Sequence, residues 1–208
     1  MEKHLTVLDG SVAEYTEKRS KFIATLKHCE TEEEALQFIE EMRSKFWDAR
    51  HNCFAYSVCG GSLCRFSDDG EPHGTAGKPI LDVILGSSLT NVVIVVTRYF
   101  GGVLLGTGGL VRAYSKSAKD AVGNAEIACV EPCSVFETEC EYTDHTRLVS
   151  LIESSGGRVE STEFTDKIKL IYCFKDEAVL DYLQKLSEIF SARIEAFLVE
   201  KKLYAFKI

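Results

Sequence analysis

In the second half of the chain, apolar positions recur with two periods, two and 3.6, and the two alternate. CSVFETECEY (133–142) alternates as a half-buried strand, whereas TDHTRLVSLIESSG (143–156) sets Leu148, Leu151 and Ile152 on one side of a helix. Gly156-Gly157 closes that helix in the manner of a C-cap. RVESTEFT (158–165) and KIKLIYCF (167–174) read as strands around a turn near Asp166. A second amphipathic helix, DEAVLDYLQKLSEIF (176–190), is expected to turn Val179, Leu180, Leu183 and Leu186 inward, and AFLVEKKLYAFKI holds a last strand. The order β-α-β-β-α-β predicts a ferredoxin-like, split βαβ domain.

The first 130 residues follow another pattern. KRSKFIATLKHC (18–29) is a strand, and Thr31 with Glu34 three residues on forms a capping-box start for a helix over EEEALQFIEEMRSKF. NCFAYSVCGGSLCRFSDD reads as a hairpin, with Gly60-Gly61 suited to a primed two-residue turn. Pro79 fits the first turn of a helix in KPILDVILGSS. NVVIVVT (91–97) is apolar at every second position on both faces and is expected to be a central strand. A glycine-rich loop follows, then a helix over 108–124. The pattern thus predicts an α+β protein of two domains, 1–130 and 131–208, dividing near Ala128–Cys133 around Pro132.

Composition narrows the class of function. A net charge of −8, from 24 basic and 32 acidic residues, argues against a broad basic surface for nucleic acid but leaves room for a local one. Residues 83–119 contain no carboxylate, yet hold Arg98, Arg112, Lys116 and Lys119. No apolar run is long enough to span a membrane, and the N-terminus lacks the apolar core of a secretory signal, so a cytoplasmic location is expected. The eight cysteines contain no Cys-x-x-Cys pair and read as structural thiols in a reducing compartment, with no metal site and no cofactor expected.

Two glycine-rich segments carry what chemistry there is. In VVTRYFGGVLLGTGGLVRAYSKSA (95–118), a strand, a loop with Gly101, Gly102, Gly106, Gly108 and Gly109, and a helix start together suit a phosphate, because exposed N–H groups and the helix dipole attract anions. Arg112, Lys116 and Lys119 are spaced as one basic face of that helix, opposite Leu110, Tyr114, Ser117, Ala118 and Ala121. Arg98 stands beside Tyr99 and Phe100, rings suited to stacking on bases. The plainer reading is a tight strand–helix connection with those two rings in the core. Neither a dinucleotide fingerprint nor a Walker A loop is present. In SDDGEPHGTAGKP (67–79), Asp68, Asp69, Glu71 and His73 would suit acid–base work or a hard cation, or simply a turn whose carboxylates accept backbone N–H bonds. His51 with Arg50 fits a structural role or a phosphate contact. An enzyme built from these parts requires both segments to line one cleft.

DDGEPHGTAGKPIL followed by Arg98-Tyr99-Phe100-Gly101-Gly102 and Gly106 resembles the Impact/YigZ family, over essentially the whole chain. The resemblance implies an N-terminal βαβ domain like one in a small-subunit ribosomal protein, and a ferredoxin-like C-terminal domain like the last domain of elongation factor G. Eukaryotic Impact proteins regulate translation under amino-acid stress through a further N-terminal domain. This chain is expected to begin at the Impact domain, so that partner interaction is not carried over. The implied function is a cytosolic, translation-associated regulator, a binding protein for RNA, the ribosome or translation factors, that uses the Gly101–Gly109 loop and the Arg112/Lys116/Lys119 face. The alternative is a kinase-like or hydrolytic enzyme acting on a small phosphorylated ligand through Asp68, Asp69, Glu71 or His73.

Overall fold

A computed structural model describes residues 3–207. The backbone divides into two compact units, one formed by 4–129 with 205–207, the other by Lys3 with 130–204.

The first unit is built on the apolar strand. β1 (His4–Val7) and β2 (Ser11–Glu17) lead into β3 (Ser20–His28); after α1 (Glu32–Lys45) come β4 (His51–Val58), β5 (Leu63–Ser67), α2 (Gly77–Gly86), β6 (Val92–Tyr99) and α3 (Gly106–Asn124). The sheet order is β2-β3-β6-β4-β5, which puts β6 in the middle. Both neighbours of β6 run antiparallel to it, so its double-sided apolarity comes from helices on both faces and not from a parallel sheet. Val93 and Val95 pack with Phe38, Ile39 and Met42 of α1. Ile94 and Val96 pack with Ile80 and Ile84 of α2 and with Leu110, Tyr114, Ala118 and Ala121 of α3.

Local sequence explains the ends of these elements. Thr31 Oγ1 accepts the Glu34 N–H at 3.2 Å, while the Glu34 carboxylate reaches back to the Glu30 N–H at 2.7 Å. The β4–β5 connection differs from the two-residue turn expected. Val58 pairs with Leu63, leaving Cys59 to Ser62 as a four-residue link in which Cys59, Gly60 and Gly61 all have positive φ. β1 and β2 lie in a stretch whose pattern predicts no strand. β1 is held in part by the Thr90 N–H bonding to Leu5 O at 2.9 Å.

β7 (Ile127–Cys140) runs unbroken through Pro132. The second unit continues with α4 (Tyr142–Ser154), β8 (Arg158–Phe164), β9 (Ile168–Lys175), α5 (Val179–Phe190) and β10 (Phe197–Lys207). In its five-stranded sheet β7 is followed by β9 and then β8, and both β1 and β10 pair with β7; β9 is antiparallel to both β7 and β8, the split βαβ arrangement. Of the stripe expected on α5, Leu186 is buried and Val179 and Leu183 pack partly buried against the core, but Leu180 is 82% exposed; the fully buried row is Tyr182, Leu186 and Phe190. That row follows i, i+4, i+8. It is fixed by the Tyr182 ring stacking on Phe174 at 4.2 Å and by the Tyr182 hydroxyl donating to Tyr172 Oη at 2.7 Å. No helix among the described residues is long and apolar enough to cross a membrane.

Candidate functional site

The two glycine-rich segments meet in one cleft of the first unit. It measures about 430 Å³, and its walls include Arg50, His51, Glu71, Arg98, Phe100 and Thr107. Cross-strand register brings them together: Arg98 near the end of β6 pairs with His51 on one side and Phe22 on the other. The loop carrying Glu71 then folds back over this strand end.

The cleft floor is a buried polar chain. Glu71 Oε1 accepts from Arg98 Nη1 at 2.5 Å and from the Tyr114 hydroxyl at 2.9 Å. Burial of Tyr114 pushes its hydroxyl far above its ordinary range, so it remains a donor. The His51 ring nitrogen Nδ1 lies 2.8 Å from the Asp69 carbonyl, which can only accept, so Nδ1 carries a proton; Nε2 faces Glu71 Oε1 at 3.9 Å. The Arg98 guanidinium lies between the rings of Phe22 and Phe100, 5.5 and 5.6 Å from their centroids. Arg98 is only 6% exposed, and its Nε has no hydrogen-bond partner among the described residues.

Asp68 and Asp69 are occupied by the backbone. Asp68 accepts the N–H groups of Gly74, Ala76 and Gly77 at 2.8, 3.0 and 2.9 Å, and so caps the start of α2 from outside the helix. Burial acts to raise its carboxyl, but those three N–H bonds and nearby His73 outweigh it and hold the group below the usual aspartate range. Asp69 takes the Asn52 N–H at 2.7 Å and Arg43 at 3.4 Å. His73 is fully exposed, 3.8 Å from Asp68. Among the described residues, no three His, Cys, Asp or Glu side chains converge to hold a metal ion.

The glycines do different jobs. A Cβ on Gly101 would lie 2.0 Å from the Arg19 carbonyl carbon, so this residue lets the loop touch the β2–β3 turn; its N–H donates to Ser20 Oγ at 3.1 Å. Gly102 and Gly106 have φ of +83° and +71° with open space around them, and serve the bend of the chain. Gly109 packs on Leu105, and Gly108 is open except for Arg112. Gly106 and Thr107 bring the first turn of α3 to the cleft, where no side chain caps the helix and no acid sits in the first turn.

Of the aromatic pair, Phe100 lines the cleft, while the Tyr99 hydroxyl donates to Asp48 at 2.8 Å. The α3 cations Arg112, Lys116 and Lys119 are all exposed. Lys116 is paired with Asp120 at 2.6 Å, and Lys119 borders a separate hollow beside Asp82 and Ser87 of the α2 side. The cleft also gains Leu104, which the residue pattern did not mark, and Arg50 with His51, the pair ahead of β4 for which a structural role or a phosphate contact is expected.

Known proteins match along most of this chain. The family model described as the Impact N-terminal domain matches residues 18–122, and a domain of unknown function, DUF1949, matches 138–193. The chain is 34% identical over 188 residues to the IMPACT family member YigZ of Escherichia coli (strain K12), covering 88% of this chain and 92% of that protein. It is 37% identical over 204 residues to an IMPACT family member of Haemophilus influenzae, covering 96% and 98%. A solved structure, described as a crystal structure of a hypothetical protein, matches with a TM-score of 0.61 at 33% identity, over 96% of this chain and 98% of that one.

Proposed function

The chain belongs to the Impact family, and from that premise we propose that it is a cytosolic, translation-associated RNA-binding protein that takes an RNA phosphate into the cleft at the start of α3. The observation that carries this reading is Arg98: a buried cation with an unpartnered Nε, beside a helix N-terminus that no side chain caps. Each feature alone is ordinary. Together, with exposed Arg50 on the same wall, they favour an anion and supply both N–H donors and positive potential for it. The net charge of −8 confines attraction to this region, so binding is local, modest and salt-sensitive.

The test is a filter-binding titration with ribosomal and transfer RNA across a salt series, comparing the native chain with Arg50→Glu and Thr107→Asp. Thr107→Asp is informative because a carboxylate in the first turn favours the helix while repelling a phosphate. Micromolar binding that weakens with salt and is lost in both variants supports the reading. No retention at low salt overturns it.

Because both segments line one cleft, a second reading stands beside it: a small phosphorylated molecule held by the same groups, with Glu71 and His51 as the acid–base pair within reach. Calorimetric titration with nucleoside monophosphates separates the two, since tight binding of the mononucleotide alone favours the small ligand.

A further inference from the structure

Trp47 is the one tryptophan of the chain, and it is 83% exposed. A ring of that size in water is unusual for a residue with no role at the surface, because tryptophan is highly buried on average. Its position is also fixed. α1 ends at Phe46, whose N–H bonds to Met42 O at 2.9 Å; the Ala49 N–H then closes a turn onto Phe46 O at 2.9 Å. The next residue, Asp48, accepts the Tyr99 hydroxyl at 2.8 Å, which ties the turn to the end of β6, one residue before Phe100. The turn therefore holds Trp47 on the outside while its base is anchored to the strand that forms the cleft.

Trp47 and Arg50 are three positions apart, so their Cα atoms lie within about 11 Å of one another. Arg50 lines the cleft. Exposed Lys45 stands on the other side of Trp47, and Asp48, the acid between Lys45 and Arg50, already holds a hydrogen bond from Tyr99. An aromatic rim flanked by Lys45 and Arg50, with Asp48 between them, thus runs from the cleft across the end of α1.

We infer that Trp47 is a stacking platform for a base of single-stranded RNA whose neighbouring phosphate sits at the start of α3. This inference rests on the RNA reading above and specifies its ligand. A cleft of about 430 Å³ is at the small end of the range for ligand pockets and takes one nucleotide unit, not a duplex. In a duplex the bases are stacked inward and offer no face to an external ring, whereas unstacked bases lie readily on aromatic side chains.

The chain's single tryptophan is its own reporter. Full-length protein is titrated with a short oligoadenylate, with the same sequence annealed to its complement, and with inorganic phosphate, while tryptophan fluorescence and filter retention are followed in parallel. Single-stranded RNA quenches the fluorescence at the concentration that saturates filter binding; duplex and phosphate leave it unchanged. Trp47→Ala weakens retention about 5- to 100-fold, the loss of one stacked base, and Trp47→Phe restores most of it. The site is exposed, so both variants fold. Filter-detected binding without quenching, and unaltered in Trp47→Ala, overturns the platform while leaving the RNA reading intact. Equal quenching by duplex overturns the single-strand assignment. No retention of either RNA overturns the underlying reading, and the platform with it.

Discussion

Replacing Glu71 by alanine removes the acceptor shared by Arg98 and Tyr114, and the cost can be worked from the cleft floor. The two charged side chains are 4% and 7% exposed, so water reaches neither freely. Truncating Glu71 leaves a guanidinium whose Nε is already unpartnered with no anion beside Nη1, and leaves the Tyr114 hydroxyl without its acceptor. Orphaning one member of a buried ion pair costs about 3–5 kcal/mol. For a unit of this size that corresponds to a fall in Tm of roughly 10–20 °C. Removing both charges tells more: Glu71→Leu with Arg98→Met restores most of the loss, because a well-packed apolar pair avoids the desolvation penalty altogether. Urea unfolding followed by circular dichroism measures all three proteins. A further arm uses the cleft: inorganic phosphate raises the midpoint of Glu71→Ala more than that of the native chain, since the orphaned guanidinium gains a partner. A loss below about 1 kcal/mol in Glu71→Ala refutes the description of Arg98 as a cation that depends on Glu71.

Three further outcomes are expected. Gly101→Ala costs about 3 kcal/mol or more in urea unfolding because its Cβ has nowhere to go against Arg19, while Gly108→Ala, in open space on a helix, is neutral or stabilises by up to about 1 kcal/mol; equal effects at the two sites would contradict the packing assigned to Gly101. Asp68→Asn costs about 1.5–3 kcal/mol near neutral pH, where the native carboxylate holds three N–H donors. Because the folded-state pKa of Asp68 is depressed, its contribution is full above the unfolded value near 4 and fades as pH falls through the folded value, so the two stability curves converge on the acid side; a constant gap down to pH 2 would sink this account. Native protein exposes Cys59 to a thiol reagent at once and Cys64 more slowly, while Cys29, Cys53, Cys129, Cys133, Cys140 and Cys173 react only on unfolding, Cys29 and Cys173 being pushed up to about 12 by burial; rapid reaction of most of the eight would contradict the buried cores.

Legibility followed the range of the interactions involved. The capping pair Thr31/Glu34, the helix stop at Gly156 and the inward face of α3 depend on neighbours within a few residues, and each was readable from spacing. The face of α5 is legible only in part: Val179, Leu183 and Leu186 pack inward, but Leu180, as apolar as Leu186, stays out while Tyr182 goes in to stack on Phe174, a contact that no periodicity encodes. β1 and β2 escape the pattern for a related reason: β1 is only four residues long, the alternation of β2 is mixed with Glu14 and Glu17, and β2 is defined by the register it finds on β3.

The glycine loop shows the same limit at the site itself. From sequence, five glycines invite one explanation, a ligand near the backbone. In the fold they have separate causes, and the tightest of them, Gly101, is accounted for by Arg19, a residue brought opposite by the pairing of Lys21 with Tyr99. What remains open to a ligand is the helix start around Thr107, and its counterpart is Arg98, whose charge is legible but whose burial is not. Glu71 balances the charge of Arg98 but takes only its Nη1 donor, leaving the Nε N–H unmet. A bare arginine at this depth would cost the fold several kcal/mol, whereas the pair leaves a single buried donor unsatisfied, at about 1–3 kcal/mol. The acidic DDGEP turn and the basic loop thus read as two motifs in the sequence, while the fold brings both to one cleft through the Glu71–Arg98 pair.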